Sequence, residues 1–145
     1  MAGNFNPRTA ARALARRLAV QALYRWQLNA APWQDLVSEF SSDADMARAD
    51  GEYFRALVQR AVEQKNELDV SMTPFLARDA AMLDPIEHAV LLIASVELLH
   101  QPQVPFRVVI DEAVGITRRF GATDGFKFVN AVLDRAARSW RPDER

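Results

Sequence analysis

The sequence predicts an all-α protein, an orthogonal bundle of about six or seven helices. Three observations carry that expectation. Apolar residues recur at helical spacing in one stretch after another. Prolines stand where helices would begin, at positions 74, 85 and 105. No stretch alternates convincingly as a strand would, and no internal repeat is found. With 145 residues, half of them apolar and 26% charged, the chain suits one domain spanning residues 1–145 with a core of its own.

The first element, Arg8 to Leu28, reads as one helix with two faces. Ala11, Leu14, Ala15, Leu18, Ala19, Ala22, Leu23 and Trp26 share half of the helical wheel and should pack on a core. The other half carries Arg16, Arg17, Gln21 and Tyr24, and Arg8 and Arg12 extend the charge towards the N-terminus. No acid precedes Asp35. Such a positive stripe with an aromatic and a carboxamide suits a phosphate backbone plus a base; a plain solvated arginine face fits the pattern equally well.

Pro32 separates this helix from a short one over Trp33 to Phe40. Ser41 to Ala49 is polar and acidic, with Asp43 and Asp45 as potential caps, and a mobile loop is expected there. Tyr53, Phe54, Leu57, Val58, Ala61, Val62 and Leu68 predict one long amphipathic helix of about five turns. Thr73-Pro74 then starts a brief helical segment anchored by Phe75 and Leu76.

Asp84, Pro85 and Glu87 form a strong helix start: a capping aspartate, a proline in the first turn and a glutamate three residues after the cap. From Ile86 to Leu99 the helix is apolar almost all round, as a central helix should be. Glu97 interrupts it. An unpaired carboxylate there would cost several kcal/mol, so a buried partner or an edge position is expected. Phe106 to Phe120 forms the next helix, which Gly121 ends as the residue after the cap. The last helix opens at Thr123 or Asp124 and buries Phe126, Val129, Val132, Leu133, Ala136 and Trp140. Lys127, Arg135 and Arg138 point away, Phe128 sits on the border, and Pro142 begins a frayed charged tail.

Much chemistry is excluded. There is no cysteine, hence no disulfide, thiolate nucleophile or cysteine-bound zinc. His88 and His100 lack clustered acids, no phosphate-binding glycine loop is found, and Asp111 and Glu112 are adjacent and therefore point apart. Neither an enzyme nor a cofactor nor a metal site is expected. The longest apolar run, Ala89 to Ala94, is too short to span a bilayer and the first residues lack a signal-peptide core, so a cytoplasmic protein is expected. The net charge is −1, so affinity for nucleic acid has to come from segregation of charge, with acids over 35–69 and arginines towards both ends.

Three segments carry a resemblance: ARRLAVQALYRWQLN (15–29), DPIEHAVLLIASVELL (84–99) and DEAVGITRRFGATDGFKFVNAVLD (111–134). In order and over essentially the whole chain, they resemble the signature regions of the NusB family of bacterial transcription antitermination factors. The resemblance implies two small sub-bundles, binding of the boxA RNA of ribosomal RNA operon transcripts together with the ribosomal protein NusE, and a complex that keeps RNA polymerase processive. It places Arg8, Arg12, Arg16 and Tyr24 at the RNA, Asp124, Lys127 and Phe128 near it, and Glu87 at the NusE contact. Asp111, Gly125 and Ala131 depart from the asparagine, serine and glycine usual in the family. Two rival readings are the RNA-binding module of a ribosomal RNA cytosine methyltransferase, for which the chain has no methyl-donor domain, and a helical adaptor for proteins, a second copy of itself included. A shared patch is expected in which the last helix packs beside the first and joins Tyr24, Lys127 and Phe128 to the N-terminal arginines, with Asp124 as a cap.

Overall fold

The computed structural model describes residues 7–144 and contains, among them, seven α-helices: α1 (Pro7–Leu28), α2 (Trp33–Phe40), α3 (Gly51–Glu63), α4 (Lys65–Met72), α5 (Pro85–His100), α6 (Phe106–Phe120) and α7 (Gly125–Trp140). Short 3₁₀ turns cover Ala44–Arg48, Thr73–Phe75 and Ala80–Met82. Helix α5 starts where its sequence says. Asp84 accepts hydrogen bonds from the amides of Ile86 and Glu87, both at 3.1 Å, and Pro85 occupies the first turn. Every residue from Glu87 to Leu98 is buried, because α5 is wrapped on several sides. Helices α1, α2 and α3 form one sub-bundle against it, and α6 and α7 form the other. One continuous apolar cluster runs through both. Leu91 and Leu92 are fully enclosed, each worth about 1.5–3 kcal/mol of burial.

Several expectations need correction. The acidic stretch after α2 is not an unstructured loop. Asp43 caps the turn Ala44–Arg48 by accepting from the Asp45 amide at 2.8 Å, and the turn packs on α1. The long helix expected over 53–68 is two: the backbone departs from helical geometry at Gln64, and α4 beyond it packs on α5 with Leu68 and Met72 buried. Gly121 does end α6, but its backbone is extended rather than left-handed. Glycine is required because a Cβ would stand 2.7 Å from the Thr117 carbonyl oxygen. Phe126, expected in the buried stripe, is half-buried under the Arg118 guanidinium, and Trp140 is half-buried at the rim of the core, edge-on to Phe75 at 5.7 Å.

The end of the chain is the largest departure. Arg141, just before the tail expected to fray from Pro142, turns back under α5 and donates to the carbonyls of Glu97 (2.8 Å), Leu98 (2.9 Å), Gln101 (2.9 Å) and Val104 (2.5 Å). Those carbonyls lie at the C-terminus of α5 and in the loop after it; the Glu97 and Gln101 oxygens also accept from the Gln101 and Val104 amides. Glu144 pairs with Arg141 and also accepts from the Phe106 amide at 2.7 Å, so the same few residues cap the start of α6.

Candidate nucleic-acid interface

The arginine stripe of α1 divides into buried and exposed members. Arg16 is not on the outer face. It is 4% exposed, and its Nε lies 2.9 and 2.8 Å from the two carboxylate oxygens of Glu97, with Glu112 3.6 Å from its outer nitrogen. Tyr53 donates its hydroxyl to the same carboxylate. The partner that Glu97 needed is therefore the arginine assigned to RNA. Burial works against the Arg16 charge, but Glu97 more than compensates and holds the guanidinium more firmly protonated than usual. Burial and Glu97 also keep the Tyr53 phenol protonated well above its ordinary range.

Arg12 is half-buried, 3.5 Å from Asp50 and stacked 4.6 Å from the centre of the Tyr53 ring. Arg17 is half-buried and donates to Asp45 at 2.8 Å. Arg8 is exposed in the first turn of α1. Of the arginines expected at RNA, Arg8 is exposed, Arg12 and Arg17 keep part of their surface, and Arg16 is buried.

Further along α1, Gln21 and Tyr24 are half-buried and line an open groove of about 490 Å³ with Arg25, Phe40, Asp43, Ile86 and Phe120. A second groove, of about 400 Å³, runs between the start of α1 and α6. Ala10, Ala13 and Gly115 make part of its walls, and Arg17, Arg48 and Arg119 bring charge. Arg48 and Arg119 were not singled out from sequence, since each lies far along the chain from α1.

The last helix does not pack beside the first. Helix α7 lies on α6 and α5, which also touch α1 and so stand between them. Tyr24 and Phe128 are still linked along the head of α5. Ile86 and Phe120 wall the Tyr24 groove, Glu87 lies against Gly125, and Arg78 covers Phe128 with its guanidinium 4.3 Å from the ring centre. Phe128 is half-buried and packed on the core cluster, as a border position requires. Lys127 is exposed, 3.4 Å from Asp124. Asp124 is not a side-chain cap. It stands at the head of α7 in the left-handed region (φ 68°), alone among the described non-glycine residues, and its carboxylate faces Lys127 instead.

Glu87 was expected to present a contact at the head of α5. Instead it is 6% exposed and turned inward, so close to Gly125 that a Cβ there would meet its Oε2 at 2.6 Å. The serine usual in the family at 125 would compete for that space, so Gly125 is what admits the carboxylate. Helix α7 continues regularly through Ala131, where glycine is usual.

Residues 13–138 match the pattern that defines the NusB family. The chain belongs to the NusB family. A protein of Xanthomonas campestris pv. campestris (strain B100) named Transcription antitermination protein NusB is 43% identical over 133 residues, covering 92% of this chain and 84% of its own. Another so named, from Shewanella halifaxensis (strain HAW-EB4), is 46% identical over 121 residues, or 83% and 90% of the two chains. Among solved structures, NusB of T. maritima superposes with a TM-score of 0.75 at 29% identity, covering 87% of this chain and 90% of that one. A structure of antitermination factors NusB and NusE in complex with dsRNA also gives 0.75, at 25% identity, covering 90% and 98%.

Within this NusB fold the inward Glu87 has a measurable consequence. Burial first, and repulsion from Asp84 second, push its carboxyl above the ordinary value of 4.5 against the pull of Arg78. A carboxyl raised in the folded state gives stability that is complete below its unfolded value and lost as pH rises through the folded one. Where the carboxyl is ionised that contribution is absent, so Glu87→Gln should raise the melting temperature at neutral pH, with the gain shrinking as pH falls below the ordinary carboxylate range. A variant that melts lower at pH 7 would mean that the charge itself is needed. For the same reason Glu87→Lys would damage the fold rather than only a contact.

Proposed function

We propose that the chain is an RNA-binding transcription antitermination factor that takes boxA RNA of ribosomal RNA operon transcripts jointly with NusE, in the cytoplasm, as part of a complex that keeps RNA polymerase processive. The observation that carries this reading is family membership over nearly the whole chain: residues 13–138 match the family, and the relatives that cover it are transcription antitermination proteins. A neighbour of the same fold was solved with NusE and dsRNA. The RNA-facing residues are Arg8, Arg17, Gln21 and Tyr24 on α1 and Asp124, Lys127 and Phe128 at the head of α7. Their distribution supports the reading, since cations alternate with aromatics along the heads of α5 and α7, whereas Arg12, Arg16, Arg17 and Arg25 of α1 each pair with an acid. Phosphates would take the cations, and unpaired bases the faces of Tyr24 and Phe128.

A titration of fluorescently labelled single-stranded boxA RNA, with and without NusE, tests this. NusE should tighten binding, and Tyr24→Ala should weaken it by about 1–3 kcal/mol through lost stacking. An RNA that binds neither the chain nor its mixture with NusE would leave a protein-only adaptor.

A further inference from the structure

The turn that opens α7 is surrounded by three cations from three parts of the chain. Arg118, near the end of α6, places its guanidinium carbon 4.2 Å from the centre of the Phe126 ring. Arg78, from the segment between the turns Thr73–Phe75 and Ala80–Met82, does the same over Phe128 at 4.3 Å. Lys127 lies between the two rings in sequence and its side chain is 69% exposed. Residues two apart on a helix are separated by roughly 200°. The two stacked guanidiniums therefore stand on opposite sides of the turn, and Lys127 occupies the arc between.

Arg78 and Arg118 are held by rings rather than by carboxylates, as Arg55, Arg107 and Arg119 are elsewhere, but theirs are the closest of these ring contacts and they flank one helix start. Arg12, Arg16, Arg17, Arg25, Arg48 and Arg141 all face a carboxylate within ion-pair distance. Arg78 and Arg118 are exposed, and neither makes a hydrogen bond or an ion pair with any described residue. A ring orients a guanidinium through its face and leaves its edge donors free, whereas a carboxylate occupies them. Neither nearby acid forms an ion pair with them: Asp124 faces Lys127, and Glu87, although it feels the charge of Arg78, is withdrawn beside Gly125. A planar cation with a free edge and a free outer face can bind a phosphate by two parallel hydrogen bonds and stack on a base.

We propose that Arg78 and Arg118 are RNA-contacting residues that clamp a single strand across the opening turn of α7, with Lys127 between them. The clamp rests on the RNA-binding reading above and adds the two side chains that grip.

The test uses the full chain with NusE and fluorescently labelled single-stranded boxA RNA, with Arg78→Gln, Arg118→Gln, the double variant and Arg78→Lys. Affinity is measured over a range of salt, and melting of each protein beside it. Each glutamine variant should bind roughly tenfold more weakly. The double variant should also lose about 1.4 from the slope of log affinity against log salt, at ~0.7 per phosphate contact on a single strand. Melting should be unchanged. Arg78→Lys should keep the wild-type slope yet recover only part of the affinity, because an ammonium neither stacks nor forks. Wild-type affinity and slope in the double variant overturn the clamp and leave RNA binding intact. Affinity that falls only as far as the folded fraction falls assigns both arginines to structure and overturns it as well. Lost pairing with NusE, with RNA binding by the chain alone unchanged, moves them to a protein contact. No RNA affinity in the wild-type chain with NusE overturns the clamp and the RNA-binding reading together.

Discussion

Arg16→Ala should cost the fold about 3–5 kcal/mol, because it strands the carboxylate of Glu97 inside α5 without its cation. Glu97 is 1% exposed, and its remaining protein donor would be the Tyr53 hydroxyl. A domain of this size has about 5–15 kcal/mol to lose, so the midpoint of urea unfolding should fall by a large fraction. Replacing both partners with apolar residues, Arg16→Met with Glu97→Leu, should recover much of the loss, since a well-packed apolar pair often does as well as a buried ion pair. RNA affinity measured on the folded fraction of Arg16→Ala should be close to normal. An unfolding midpoint near wild type together with lost RNA affinity would return Arg16 to the surface.

Arg141→Ala should cost about 3 kcal/mol or more. A charged donor contributes roughly 1.5–3 kcal/mol per hydrogen bond, and this one donates to four carbonyls at once; the contributions of one side chain do not simply add. Deleting the chain after Trp140 should have a similar effect, with the added loss of the cap that Glu144 places on α6. Urea unfolding followed by circular dichroism reads both. A shortened chain within about 0.5 kcal/mol of the full one would restore the frayed tail.

The helices were legible because their signals are local. The apolar period of α3 and α6, and the aspartate and proline that start α5, act within a few residues of themselves. What sequence misplaced depends on partners far along the chain. Arg16 looked exposed because it follows Ala15 on a polar-looking edge, yet Val20, one turn later on the same face, is buried and extends the core stripe under the guanidinium. Glu97 announced a missing cation without saying which of 18 basic residues supplied it. Pro142 suggested an end to order, whereas the arginine before it answers carbonyls some forty positions earlier. Gln64 carries no proline or glycine signal, so the break between α3 and α4 is decided by how each half packs on its neighbours. At the interface, Phe128 was placed on the correct edge of its helix, whereas Tyr24, expected to face away from the core, is half-buried against it. Their relation to each other was not legible, because the packing order of α1, α5, α6 and α7 is a tertiary fact with no local signature.

The salt dependence of boxA RNA binding by the chain paired with NusE is the most direct test of the interface. The expected result is a linear fall of log affinity with log salt whose slope becomes shallower by about 0.7 in Lys127→Gln, with melting unchanged. Affinity independent of salt, or a slope that Lys127→Gln leaves untouched, would contradict the placement of RNA at the head of α7.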